Sequence, residues 1–265
     1  MGINTLFDIA SSGITAQRLA IEVTGENISN VNTEGYSRQR VIMENKPVGT
    51  ANGFPLGTGV EIAAVQRSYD NMLQLQLVNA NSTYQEGLAQ QSALEQIEPS
   101  FNSLTSDGIG TAVANYFGAF QDLSVNPSGA AERQAVLTRA QIMVDSFNQA
   151  DFALTSVAST ADSNLVGITA EATDNARNLA LVNQQILATN SVGGNANELL
   201  DQRDLLLRKL SEQVGVSYSL ANDGTASVTL SGGGQLVSGT RYATLYTNAT
   251  GAPATNDIML SGLGN

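Results

Sequence analysis

Asp201 and Asp204 stand three residues apart in Leu200-Asp201-Gln202-Arg203-Asp204. On a helix that spacing puts both carboxylates on one face, where a general acid and a general base could share a substrate. Arg203, Arg208 and Lys209 crowd the same segment, and with them the pair reads more simply as a solvated or salt-bridged helix face. Asn222-Asp223-Gly224 offers oxygen atoms to a calcium ion, but no Asp/Asn ladder of loop-binding length follows it, so a hairpin turn is expected there. Gly232-Gly233-Gly234 lacks the Lys-Ser/Thr of a phosphate loop and precedes an alternating, strand-like run. The chain contains neither His nor Cys. That removes the commonest general base, the thiolate metal ligands and every Ser-His or Cys-His nucleophile pair. The expectation is a protein that is not an enzyme, with no catalytic residue, no cofactor and no metal.

The elements that carry these residues are mostly helices. Glu198–Val214 reads as one, with Asp204 and Arg208 set for an i,i+4 pair. Tyr69–Glu98, stopped by Pro99, is another, with Leu73, Leu77, Ala80, Tyr84, Gly87, Gln91, Leu94 and Glu98 in a 4, 3, 4, 3 rhythm. Ile109–Leu123, Ala130–Ala158 and Asn164–Thr189 follow the same logic, the first closed by Asn126-Pro127-Ser128-Gly129. After Gly215 the period shortens to two. Val216–Leu220, Ala226–Leu230, Gln235–Val237, Arg241–Thr247 and Asp257–Leu260 alternate between turn residues and begin a β domain. It runs to Leu263-Gly264-Asn265 without a closing element, so the chain is expected to be an N-terminal portion.

The first helix is the most regular. Over residues 4–30, Leu6, Ile9, Gly13, Ala16, Ala20, Val23 and Asn27 form a heptad seam. A second file runs beside it at sevens: Phe7, Ile14, Ile21 and Ile28. A lone helix cannot bury so wide a stripe on itself, so another segment must cover it. Asn27, Asn30, Asn32, Thr33 and Gly35 then break the helix, because their short polar side chains compete for backbone groups and Gly tolerates the left-handed conformation. Tyr36–Met43 and Val60–Gln66 read as the arms of a long hairpin, joined through Gly53–Gly59. The organisation expected is residues 1–35 as a terminal helix and corner, 36–68 as a β-hairpin, 69–215 as a helical rod-like domain and 216–265 as an incomplete β domain. The fold class is mainly α with a β part.

Composition narrows the partners. The formal net charge is −12 over 265 residues. Residues 1–67 hold six acids and five bases, and no Lys or Arg occurs between Ser68 and Glu132. An acidic body repels phosphate backbones, so nucleic acid is not an expected partner. No apolar run approaches membrane-spanning length, and Met1–Thr15 lacks the basic and unbroken apolar regions of a cleaved signal peptide.

Asn27-Ile28-Ser29-Asn30-Val31-Asn32-Thr33-Glu34-Gly35-Tyr36 resembles the N-terminal signature of bacterial flagellar axial proteins, the rod, hook and hook-associated subunits. The continuation Ser37-Arg38-Gln39 is similar to that of the hook-associated members at the hook–filament junction. So are Leu123-Ser124-Val125-Asn126-Pro127, Arg133 to Leu137, and Asn197-Glu198-Leu199-Leu200-Asp201-Gln202-Arg203-Asp204. The similarity covers most of residues 1–220. It implies a self-assembling structural subunit, with copies in a ring. Its neighbours would be the hook protein on one side and the next hook-associated protein on the other.

The resemblance also implies delivery to the cell exterior by the flagellar export apparatus with an export chaperone. The stripe of Leu6, Phe7, Ile9, Gly13, Ile14, Ala16, Ala20, Ile21, Val23 and Ile28 would serve assembly, paired with a C-terminal helix that this sequence lacks. The Asn-rich stop would be the corner between two concentric layers. Two other readings stand beside this one. The chain could be a hook or rod subunit, or, from another class, an adhesin-like module contacting a ligand through Tyr242 and Tyr246.

Overall fold

The computed structural model describes residues 3–46, 49–51, 54–101, 108–249 and 256–263. Gly53, at the head of the expected turn, and Gly264 and Asn265 lie outside them. The chain is mainly helical with small antiparallel sheets, as its periodicities indicate.

Helix α1 spans Ile3–Ser29. Strands β1 (Gln39–Asn45) and β4 (Val60–Arg67) pair antiparallel beneath it, with a register shift between Ile42 and Met43. Between the arms, β2 (Gly49–Ala51) and β3 (Phe54–Leu56), the second within the stretch read as a turn, add a second small ladder. The first arm starts at Gln39 rather than Tyr36, because residues 36–38 belong to the corner described below. Arg38 still accepts from the Ser68 N–H at 2.7 Å, so the ladder closes at the base of the hairpin.

Helix α2 runs Asn71–Phe101, capped by Asp70, whose Oδ1 accepts from the N–H groups of Met72 and Leu73. Pro99 sits inside its last turn instead of ending it, at a place where the lost donor removes one bond near the terminus. Helix α3 is Ile109–Val125. Helix α4 is a single 62-residue rod, Ala130–Ser191, and not the two helices that the sequence suggested. The supposed break holds Ser159, Thr160, Asp162 and Ser163, all cap formers. The Thr160 and Ser163 hydroxyls instead donate back to the carbonyls of Ser156 and Ser159 at 2.9 Å, so the helix continues through them.

Helix α5 is Asn197–Gln213. A four-stranded antiparallel meander follows: β5 (Val216–Leu220), β6 (Ala226–Leu230), β7 (Gln235–Ser238) and β8 (Arg241–Tyr242). The run read as Arg241–Thr247 divides at Ala243-Thr244. Its second part, β9 (Leu245–Ala249), pairs with β10 (Asn256–Leu260) in a separate hairpin. Both Gly-rich segments are turns, with Gly224 at φ 87 and Gly233 at φ 89.

The core lies where the first half of α2, the second half of α4, α5 and the meander meet. Val78, Leu179, Leu207, Leu210, Val228 and Leu236 are fully enclosed there. Side chains of α4 peg the sheets to it. Asn183 donates to the carbonyls of Ala226 and Gly239 and accepts from the Ala226 N–H, while the Thr173 hydroxyl accepts from the Leu245 N–H at 2.9 Å.

Candidate functional site: a polar joint behind the first helix

The corner after α1 is built by one amide. Asn27 Oδ1 accepts from the Gln39 N–H at 2.8 Å and from the Tyr36 hydroxyl at 3.0 Å, and its Nδ2 donates to the Gln39 carbonyl at 2.8 Å. The side chain thus stands in for a second neighbouring strand at Gln39, on the side of β1 that its partner β4 does not cover. Asn30 Nδ2 donates to the Glu26 carbonyl, and the Thr33 hydroxyl donates to Asn30 Oδ1. Gly35 takes φ 83, which favours glycine, and a Cβ there would lie 3.2 Å from Leu205 Cβ, a tight approach that Leu205 would have to yield to. Asn32 and Arg38 are exposed, and Ile28 points outward. Glu26, Asp201 and Glu198 lie around Tyr36; removal from water, and secondarily these carboxylates, push its hydroxyl above the usual tyrosine range.

Asp201 and Asp204 are salt-bridged but buried, not solvated, and the i,i+4 pair between Asp204 and Arg208 does not form. Asp201 Oδ2 accepts from the Ser37 N–H at 2.9 Å, and its Oδ1 accepts from Arg67 Nη1 at 2.8 Å. The other arm of the Arg67 guanidinium pairs with Asp204 Oδ2 at 2.7 Å. Asp204 Oδ1 takes Nε and Nη2 of Arg203 at 3.0 and 2.7 Å, and Arg203 Nη1 reaches the Gly224 carbonyl. The four side chains are between 2% and 8% exposed. Two acids and two bases cancel in charge, which is how such groups survive burial. Arg67 also stacks 4.0 Å above the Tyr69 ring. Arg208 turns the other way, 3.9 Å from Glu34. Leu200 is half-buried beside this network, and Gln202 is exposed.

The sequence reading named Gln39 and Asn197 within its motifs but missed Arg67, and it foresaw no contact among the three. Arg67 closes β4. Gln39 is 7% exposed, and Asn197 at the head of α5 donates to both its Oε1 and the Val65 carbonyl, at 3.0 and 2.8 Å. The available signal was Arg67 itself, the last base before the long stretch without one.

The α1 stripe divides. Ala16 and Val23 are buried against the β1–β4 hairpin, with Ile9, Gly13, Ala20 and Asn27 half-covered around them. The file at sevens is open: Phe7 is 66% exposed, Ile14 70%, Ile21 71% and Ile28 69%, with Leu6 beside them at 56%. The heptad rhythm of α2 is open too, with Leu73, Tyr84 and Leu94 each more than 60% exposed.

Among the described residues no group of three or more His, Cys, Asp or Glu side chains is arranged to hold a metal ion, and no helix is long and apolar enough to cross a membrane. Asp223 Oδ1 accepts from the Thr225 N–H and hydroxyl, which hold its carboxyl below the usual range. It is committed to its turn. Tyr242 packs against the core, and Tyr246 is half-exposed.

The family model described as the flagellar hook-associated protein FlgK helical domain matches residues 94–265, and that of the flagella basal body rod protein matches residues 7–36. The chain is 32% identical to flagellar hook-associated protein 1 of Escherichia coli (strain K12), over 89% of its own length and 44% of that protein. It is 32% identical to flagellar hook-associated protein 1 of Bacillus subtilis (strain 168), over 84% of its length and 45% of that protein. The solved flagellar hook junction protein FlgK from Burkholderia pseudomallei superposes with a TM-score of 0.59 at 28% identity, covering 73% of this chain and 34% of the other. The chain thus spans less than half the length of these relatives. With a family model matched over most of its residues and the corner signature in place, the chain belongs to the family of flagellar hook-associated protein 1.

Proposed function

We propose that the chain is a structural, non-catalytic part of the bacterial flagellum that joins copies of itself in a ring at the junction between hook and filament, and that filament attachment needs it. The hook protein lies on one side of that ring and the next hook-associated protein on the other. The subunit reaches the cell exterior through the flagellar export apparatus, held by an export chaperone. Residues 1–35 contribute an inner layer, and residues 69–215 and 216–265 the layers outside it, with the hairpin of 36–68 between.

The observation that carries this reading is the open file Phe7, Ile14, Ile21 and Ile28. A row of large apolar side chains repeating every seven residues is a surface for another helix, and water is a poor occupant for it. The open file of the α1 stripe is therefore the self-assembly surface, while Ala16 and Val23 seat the helix on its own hairpin, and the residues from Asn27 to Gln39 set the angle at which the chain leaves it. The test is deletion of residues 1–30, expressed in a motile bacterium that lacks its own hook-associated protein 1. The expected product is a folded, monomeric body that is absent from purified hook–filament structures. Normal incorporation of the shortened chain would overturn the proposal.

A further inference from the structure

Helix α4 has two packed parts and a bare stretch between them. α3 folds back on its first part, where Ala112, Ala119, Val136 and Ala150 are buried. From Thr169 to Ile186 it forms one wall of the core. Between Ala150 and Thr169 none of its residues is buried, although Val157, Leu165 and Ile168 are half-covered. α2 adds little cover at this level. Its one buried residue among those described is Val78, at the core end, and its Leu88 and Ala89 share an open groove of about 870 Å³ with Ile168.

The residues of the bare stretch give the helix little support of their own. Over 155–168 the strong helix formers are Ala158, Ala161 and Leu165, set among Ser, Thr, Val, Asp, Asn, Gly and Ile. The Thr160 and Ser163 hydroxyls bond back to the preceding turn, a pattern that bends helices. Gly167 has no steric reason to be glycine, since a Cβ there would meet nothing within 4 Å, and in mid-helix it loosens the backbone. Among the described residues the sheets reach this stretch by one hydrogen bond, from the Asn256 N–H to Asp162 Oδ1 at 2.9 Å. The other oxygen of that carboxylate is buried with no partner among them, which weakens the tie. The bond fastens the body to the middle of the stretch and leaves residues 109–150 untouched.

We infer that α4 is a jointed rod, in which residues 155–168 are a flexure between the core body and a tip made of α3 and residues 130–150. Helices in proteins owe most of their stability to packing, so where packing and propensity are both weak the ladder opens or bends at little cost. A subunit of this build keeps its core fixed while its tip changes inclination to suit a neighbour. In the ring proposed above, that lets the tip meet partners of different kinds; the flexure itself does not depend on that reading.

Backbone N–H residual dipolar couplings of the 265-residue chain, weakly aligned in filamentous phage, test the inference. Residues 132–150 and 170–186 are expected to need two alignment tensors of unequal magnitude, where a rigid helix needs one. Amide exchange is expected to be about tenfold faster, or more, at 155–168 than at 172–186. Thr160→Ala, Ser163→Ala and Gly167→Ala are combined in one variant, all at exposed positions, and raise helix propensity without entering the core. That variant is expected to slow exchange in the stretch by about tenfold and to bring both segments to one tensor. Thr138→Ala, which removes a back-bonding hydroxyl near buried Val136, is expected to change neither reading. The inference fails if one tensor fits the unaltered chain, if exchange is uniform along 132–186, or if the triple variant keeps two tensors of unequal magnitude. Failure of ring assembly with two unequal tensors still present would overturn the proposed function and leave the flexure standing.

Discussion

Asn27 makes three hydrogen bonds with one side-chain amide, two to the Gln39 backbone and one from the Tyr36 hydroxyl. Asn27→Leu keeps the volume and strands the Gln39 N–H and carbonyl, at a cost of about 1–3 kcal/mol for each buried group left unpaired. Amide hydrogen exchange at Gln39 is expected to speed up sharply while the β5–β8 amides keep their protection. Equal loss of protection in both places would mean that Asn27 supports the whole fold and not the corner. Tyr69 and Tyr218 carry a second prediction. Burial, reinforced by Asp204 near Tyr69 and by Tyr69 near Tyr218, pushes both hydroxyls above the ordinary tyrosine value. A folded-state pKa above the unfolded one, near 10, gives stability that is complete below about pH 10 and drains as pH rises further. Tyr218→Phe removes one of these ionisations, so its alkaline unfolding midpoint is expected to lie at higher pH than that of the unaltered chain.

At the scale of elements, α4 acts as a ruler for the sheets. Asp162 accepts from the Asn256 N–H of β10, Thr173 accepts from the Leu245 N–H of β9, and Asn183 clamps Ala226 of β6. Asn183 is fully enclosed, so Asn183→Leu leaves the Ala226 N–H and two carbonyls without partners. About 2–5 kcal/mol of stability is expected to go with it, read as a lower thermal midpoint, whereas Asn190→Ala, on an exposed bond to the Asp223 carbonyl, is expected to cost about 1 kcal/mol or less.

The same helix marks how far local pattern reaches. Strands β5 and β6 begin and end where their alternation does, and the seam of α1 reads directly off residues 6–27, because period and turn chemistry are local properties. The continuity of α4 through Ser159–Ser163 was hidden, since cap formers can serve their own helix as readily as end it. The joint was hidden for a different reason. Arg67 and Asp201 are 134 residues apart, and neither carries a local mark of the other, so the Asp201 and Asp204 carboxylates read as a solvated or salt-bridged helix face, with Arg67 not among the partners considered.

For the whole molecule, the stripe on α1 has one side covered by the hairpin and one side open, and substitutions can separate them. Val23 is 6% exposed under the hairpin, so Val23→Asp buries an unpaired charge in the isolated chain and is expected to cost several kcal/mol there, on the order of what burial of a lone carboxylate demands. Ile14 is 70% exposed, so Ile14→Asp is expected to change the stability of the isolated chain by about 0.5 kcal/mol or less. Under the proposed self-assembly the order reverses in meaning, because Ile14 is then the residue that must leave water. Thermal melts of the isolated chain are expected to separate the two variants clearly, with only Val23→Asp shifted. Recovery in sheared hook–filament preparations is expected to fall for both, through loss of the hairpin seat in one and loss of the mating surface in the other. An Ile14→Asp chain that melts normally and incorporates normally would show that the open file faces solvent in the assembled structure as well. The apolar repeat of α1 would then need a purpose other than association.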